Sequence, residues 1–160
     1  LNMTLEFFLM AVFAGFMGSY GLVAMSLWSD SLGLPRLDFS RAMSKLTYAR
    51  TFEEEVSPGA GVEAPNTPYW PGMIVLFMNG IFFALLYSSV VAQFIPIENV
   101  VFKGAAWGII LWFVSGIFFV PFYLKEGFML SHIHPLAWLT SLKVHIVYGL
   151  MVGWIAPISV

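Results

Sequence analysis

Four long apolar stretches constrain this chain more than any other feature. They run from about Leu5 to Trp28, Met73 to Phe94, Gly104 to Tyr123 and Leu136 to Ile155. A helix needs about 20 apolar residues to cross the hydrocarbon core of a bilayer, and each stretch is long enough. Barrel strands would be about half this length and would alternate in polarity. Hydrophobic residues make up 59% of the chain and charged residues 10%, against about 25% charged in an ordinary soluble domain. That is too little charge to clothe a water-facing surface. The pattern predicts an all-α integral membrane four-helix bundle, a single transmembrane domain over residues 1–160. The first stretch does not read as a signal peptide. It lacks a basic leader, carries Glu6 and exceeds the length of a signal h-region.

Lysine and arginine set the orientation, because cytoplasmic loops retain the positive charge. The first loop holds Arg36, Arg41, Lys45 and Arg50, and the third loop with its margins holds Lys125 and Lys143. The opposite side has only Lys103. Six cations against one place loops one and three in the cytoplasm and both termini outside. Trp28, Tyr69, Trp70, Trp107, Tyr123, Trp138 and Trp154 fall near the expected interfaces, where amphipathic rings anchor helices.

The first loop is the only long hydrophilic piece. Leu32-Gly33-Leu34-Pro35 reads as a turn, and Asp38 as the N-cap of a short helix over about 38–52. Leu37, Met43, Leu46 and Ala49 fall near helical spacing, with Arg41, Lys45 and Arg50 elsewhere around the wheel. That suits a helix lying on the membrane surface, or one that meets a partner. Glu53-Glu54-Glu55 ends the pattern, and Pro58, Pro65, Pro68 and Pro71 exclude regular helix from 57–72. There is no internal repeat and no low-complexity segment.

Membrane helices associate through close packing at small residues, because lipid competes with apolar side chains. Gly15 and Ser19 mark such a face on the first span, Gly104 and Gly108 (with Gly116 further along) on the third, and Gly149 and Gly153 on the fourth. The second span, with Gly80, Ala84 and a lining of phenylalanines, is expected to be the more lipid- or partner-exposed helix. Pro121 reads as the terminator of the third span.

Ionisable groups deep in a bilayer are costly and usually functional, and this chain has almost none. Asn79 is the strongly polar residue well inside the second span. Its simplest role is an interhelical hydrogen bond. This poverty argues against a proton pump or ion-coupled transporter. His145 shares a face with Gly149 and Gly153, so it points at another helix or a bound group. Its simplest role is a structural hydrogen bond; it is also the candidate cofactor-binding residue, for a quinone or headgroup contact or a haem. A six-coordinate haem needs two axial ligands, and the second would have to come from another chain. His132 and His134 in the third loop, with Glu126, form a weak metal constellation; no metal is expected. With zero cysteines there is no disulfide framework or thiol nucleophile. No nucleophile elbow, zinc-protease helix, P-loop or dinucleotide fingerprint is present, so no catalytic residue is assigned. A net charge of −2 gives no footprint for nucleic acid.

Leu32-Gly33-Leu34-Pro35-Arg36-Leu37-Asp38-Phe39 after the first span, and His145-Ile146-Val147-Tyr148-Gly149 in the fourth, together resemble a group of small, largely uncharacterised four-helix bacterial inner-membrane proteins. The resemblance implies a membrane fold and a bacterial inner-membrane location, without an established activity. The expected function is that of an accessory, non-catalytic transmembrane subunit of a larger respiratory or photosynthetic complex. Its partners would be other membrane subunits and bound lipids, and it would carry no cofactor of its own. Two alternatives stand beside it. One is a small homo-oligomeric channel with Asn79 and Gln93 around its pore. The other is an electron-transfer subunit contacting haem or quinone through His145.

Overall fold

The structure is a computed structural model and describes residues 4–47 and 70–158. Among these residues four helices are long and apolar enough to cross a membrane. Helix α1 spans Leu5–Leu27, and the short α2 spans Phe39–Thr47. Helix α3 spans Trp70–Ser89, and α4 spans Val100–Val114. A π-helical segment, Ser115–Leu124, prolongs α4, and α5 spans Ala137–Ile155. The protein is an all-α four-helix membrane bundle that crosses the membrane several times.

Local chemistry accounts for the helix ends. Thr4 caps α1 by accepting from the Phe7 N–H at 3.1 Å. Asp38 caps α2, its Oδ1 accepting from the N–H groups of Ser40 at 3.0 Å and Arg41 at 3.3 Å. Asn99 caps α4 by accepting from Val101 and Phe102, so the third span starts four residues earlier than its first clearly apolar turn suggested. The second span starts at Trp70, not Met73, because proline is tolerated in a first helical turn where its missing N–H is an orphan anyway. It also stops sooner, at Ser89. Gln93 and Phe94 belong to a separate 3-10 turn, Val91–Phe94.

Helices α1 and α5 form the central pair. α5 packs on α1 and α4, and α3 packs on the other side of α1. The α4–α5 seam is glycine against glycine. A Cβ added at Gly104 would fall on the Gly149 carbonyl and the Gly153 backbone, and one at Gly108 on the His145 carbonyl. The α1–α3 seam has Gly15 against the Gly80–Ile81 backbone and Ser19 against Gly80. The second span is therefore not the exposed one. Gly80 lets its backbone approach Gly15 and Ser19 of α1, and the third span is the least covered of the four. Gly116 does not join the α5 seam; it faces the Met129 thioether of the third loop.

Three further expectations are corrected. Pro121 does not end the third span. Proline lacks an N–H and clashes with the carbonyl four residues back, and the wider π-helical winding carries the chain past it to Leu124. Trp107 is not an interfacial anchor. It is 5% exposed and lies 6.2 Å from the rings of both Phe83 and Tyr87. Helix α2 does not merely float on lipid. Ser40, Ala42 and Met43 are buried, and α2 packs on α3. The turn ahead of it is fastened to the bundle at three points. The Ser26 hydroxyl donates to the Leu37 carbonyl. Thr140 Oγ1 donates to the Pro35 carbonyl at 2.9 Å, and Lys143 Nζ to Ser29 Oγ at 2.9 Å. The rest of the expected loop helix, its acidic end, the proline-rich stretch up to residue 69 and Tyr69 lie outside the described residues.

Candidate functional site: a polar layer around an intramembrane cavity

The contacts between α3 and α4 run through side chains. Phe83 and Tyr87 meet Trp107 toward the second loop, and α2 lies at the opposite end. Between them is a cavity of about 250 Å³. Its walls come from every span: Ser19 of α1, Asn79 and Phe83 of α3, Leu111 of α4, Ser115 and Phe119 of the π segment, His145 and Tyr148 of α5. Phe39, Ala42 and Met43 of α2 close it from the loop-one side.

Counted along the helices, the polar members sit at similar depths. Helices α1 and α3 have their loop-one ends at Leu27 and Trp70, and the third and fourth spans have their loop-three ends at Leu124 and Ala137. Ser19 lies 27 − 19 = 8 residues from its end and Asn79 lies 79 − 70 = 9. Ser115 lies 124 − 115 = 9 and His145 lies 145 − 137 = 8. At about 1.5 Å per residue this is a depth of about 12–14 Å for Ser19, Asn79 and His145; the smaller rise of the π segment places Ser115 somewhat shallower. Every span thus gives a polar residue to this region, and α5 gives three, Ser141, His145 and Tyr148, in the half of the bundle that faces loops one and three.

Hydrogen bonding within the layer is directional. His145 Nδ1 lies 2.7 Å from the Ser141 carbonyl. A carbonyl only accepts, so Nδ1 carries the proton and Nε2 keeps its lone pair. Tyr148 Oη donates to the Gly80 carbonyl at 2.6 Å, joining α5 to α3. Ser19 Oγ donates to the Gly15 carbonyl at 2.9 Å. Among the described residues the Asn79 side chain makes no hydrogen bond, and Asn79 forms part of the cavity wall.

The other residues singled out by sequence fall elsewhere. Gln93 is exposed in its 3-10 turn, beyond the end of α3, which is itself about 15 Å along the helix from Asn79, so the two do not share a pore lining. His132 and His134 are exposed in the third loop. His134 Nδ1 accepts from the Leu136 N–H at 3.1 Å, ahead of α5. Among the described residues no three His, Asp or Glu side chains converge as a metal site would require. Gly15 and Ser19, with Gly104, Gly108, Gly149 and Gly153, line the helix seams described above. Sequence reasoning missed Ser115, Ser141 and Tyr148. The signal that could have found Ser115 was depth: counted from the helix ends, it falls near the level of Ser19, Asn79 and His145.

The site and fold define a class, an integral membrane bundle with a polar-layered cavity inside it. No family model, curated protein or solved structure matches the chain, and the likeness read from the Gly-Leu-Pro turn and the His145–Gly149 stretch gains no support from these comparisons.

Proposed function

We infer that this protein is a non-catalytic membrane subunit that holds a small lipid-soluble ligand in its bundle cavity, with His145 as the principal polar contact. The observation that carries this reading is the polar layer: all four spans place polar residues around a cavity of about 250 Å³. Polar groups in a bilayer are costly unless they find partners. A cavity of about 150 Å³ already holds a benzene, so this one has room for a ring and part of a chain. The volume suits a single-ring ligand such as a quinone head better than a porphyrin.

The wider setting belongs to the same proposal. The protein sits in a bacterial inner membrane with loops one and three cytoplasmic and both termini outside. It serves a larger respiratory or photosynthetic complex as an accessory subunit. What favours such an assembly is the third span, whose exposed face carries Phe102, Ile109, Phe113, Phe118 and Phe122 and offers a broad surface to a neighbouring helix or to lipid.

The test is extraction in mild detergent, followed by native mass spectrometry. The chain should carry a lipid-soluble ligand of one mass at fixed stoichiometry. Ser115→Phe, which fills the cavity, should lose that ligand while melting like wild type. Wild type free of any such ligand, and indifferent to added ring compounds, rejects the reading. Co-migration with cytochrome- or chlorophyll-bearing subunits on a native gel checks the accessory role separately.

A further inference from the structure

The hydrogen-bond directions in the polar layer say what kind of ligand the cavity accepts; this inference rests on the ligand-binding reading above. Three of the donors in the layer are engaged already. His145 gives its Nδ1 proton to the Ser141 carbonyl at 2.7 Å. Tyr148 gives its phenolic proton to the Gly80 carbonyl at 2.6 Å, and Ser19 gives its hydroxyl proton to the Gly15 carbonyl at 2.9 Å. What these three residues have left is lone pairs, on His145 Nε2, Tyr148 Oη and Ser19 Oγ. An imidazole nitrogen is the strongest neutral acceptor of the three. Asn79, Ser115 and Ser141 can still donate, and Asn79 can also accept. The remaining lining is apolar and aromatic, with Phe83, Leu111 and Phe119 among its members.

A ligand whose polar atoms only accept leaves His145 Nε2 without a donor. A ketone, an ether or an oxidised quinone would find Asn79, Ser115 and Ser141 to serve its oxygen, but would have no proton to give the imidazole nitrogen. A hydroxyl satisfies His145 Nε2 directly. We propose that the cavity selects a lipid-soluble ring bearing a hydroxyl, a phenol or the reduced hydroquinone form of a quinone, whose O–H donates to His145 Nε2. In a hydroquinone the second oxygen would pair with Asn79. The cavity then distinguishes the reduced from the oxidised form of one ring by its missing donor, because leaving a buried acceptor unpaired carries a full desolvation penalty.

The test compares ligands of equal size. The full chain in lipid nanodiscs is titrated with 4-pentylphenol and with its methyl ether, 4-pentylanisole. Binding is read by tryptophan fluorescence and corrected for partition into empty nanodiscs. The phenol should bind at least about ten-fold tighter, the size of one good hydrogen bond. His145→Phe keeps an aromatic ring but removes the acceptor, and should bring the two ligands to equal affinity. His145→Gln, whose amide oxygen accepts, should restore part of the preference and guards against a folding defect in the first variant. Equal binding of both ligands to wild type overturns the donor argument and leaves the ligand-binding reading standing. Binding of neither overturns both. A second arm uses decylhydroquinone under dithionite beside decylquinone. The reduced form should win, and parity again overturns the proposal. A hydroquinone that outbinds the phenol in an Asn79-dependent way names the quinol as the source; equal affinity of the two names a plain phenol.

Discussion

Tyr148 shows how much one hydroxyl does in this bundle. Its ring packs on Gly18 of α1, whose missing Cβ leaves the room, and its Oη reaches the Gly80 carbonyl of α3 at 2.6 Å. Tyr148→Phe keeps the packing and deletes the bond. Interhelical hydrogen bonds in membranes average about 0.6 kcal/mol, with a maximum of about 1.7. Unfolding in mixed micelles should therefore show a loss in that range, and a loss above about 3 kcal/mol would mean that the ring has moved too. Gly33 makes the opposite case. It adopts φ 69° with nothing within 4 Å of an added Cβ, so Gly33→Ala meets backbone strain alone and should cost about 1–2 kcal/mol. The residue scale is also where sequence reading succeeded and failed most visibly. Asp38 announced itself as a cap because the side-chain chemistry of a helix start is local. His145 and Asn79 stood out as polar residues in apolar runs. Trp107 misled, because tryptophan near a helix end has two stable locations, the interface and the core. Only the position of Phe83 and Tyr87 on another helix decides between them.

At the scale of the element, the glycine seams were legible as faces but not as pairs. Four-residue spacing gave Gly104 with Gly108 and Gly149 with Gly153; which face met which required the tertiary contact. That contact is now backbone on backbone. A Cβ at Gly149 would lie against the Gly104 carbonyl and the Gly108 backbone, groups that cannot rotate aside. Gly149→Ala should cost about 1–3 kcal/mol, the usual range for overpacking. Gly149→Leu should prevent α4 from docking at all, seen as loss of a cooperative melt. A Leu variant that melts like wild type would show that the seam is not where stability resides. The π segment could not be foreseen. Proline at position 121 allows either a stop or a distorted continuation, and the sequence around it is apolar either way. Helix α2 was legible as an amphipathic helix, but amphipathicity alone does not say whether the apolar face meets lipid or protein. Burial of Ala42 and Met43 settles that for the described part of the helix.

At the scale of the whole molecule, the cavity ties fold to orientation. It lies in the half of the bundle that faces loops one and three, bounded by α2 at that end and by the Phe83–Tyr87–Trp107 cluster toward loop two. On the proposed orientation, which rests on the count of six cations against one, that half lies in the cytoplasmic leaflet and a lipid-soluble ligand would be drawn from it. The chain offers a clean way to check the assignment, because it contains no cysteine and a single introduced thiol is unique. Ser131 in the third loop and Glu98 in the second are both exposed. In sealed cells treated with a membrane-impermeant maleimide, Glu98→Cys should label at once, and Ser131→Cys only after the inner membrane is permeabilised. The reverse pattern would invert the topology and move the cavity to the outer leaflet. It would leave the polar layer itself unchanged, since depth within the bundle does not depend on which side faces the cytoplasm. Labelling of both positions in sealed cells would contradict a fixed orientation. The cavity would then open to different leaflets in different copies, and a single ligand supply would no longer explain its placement.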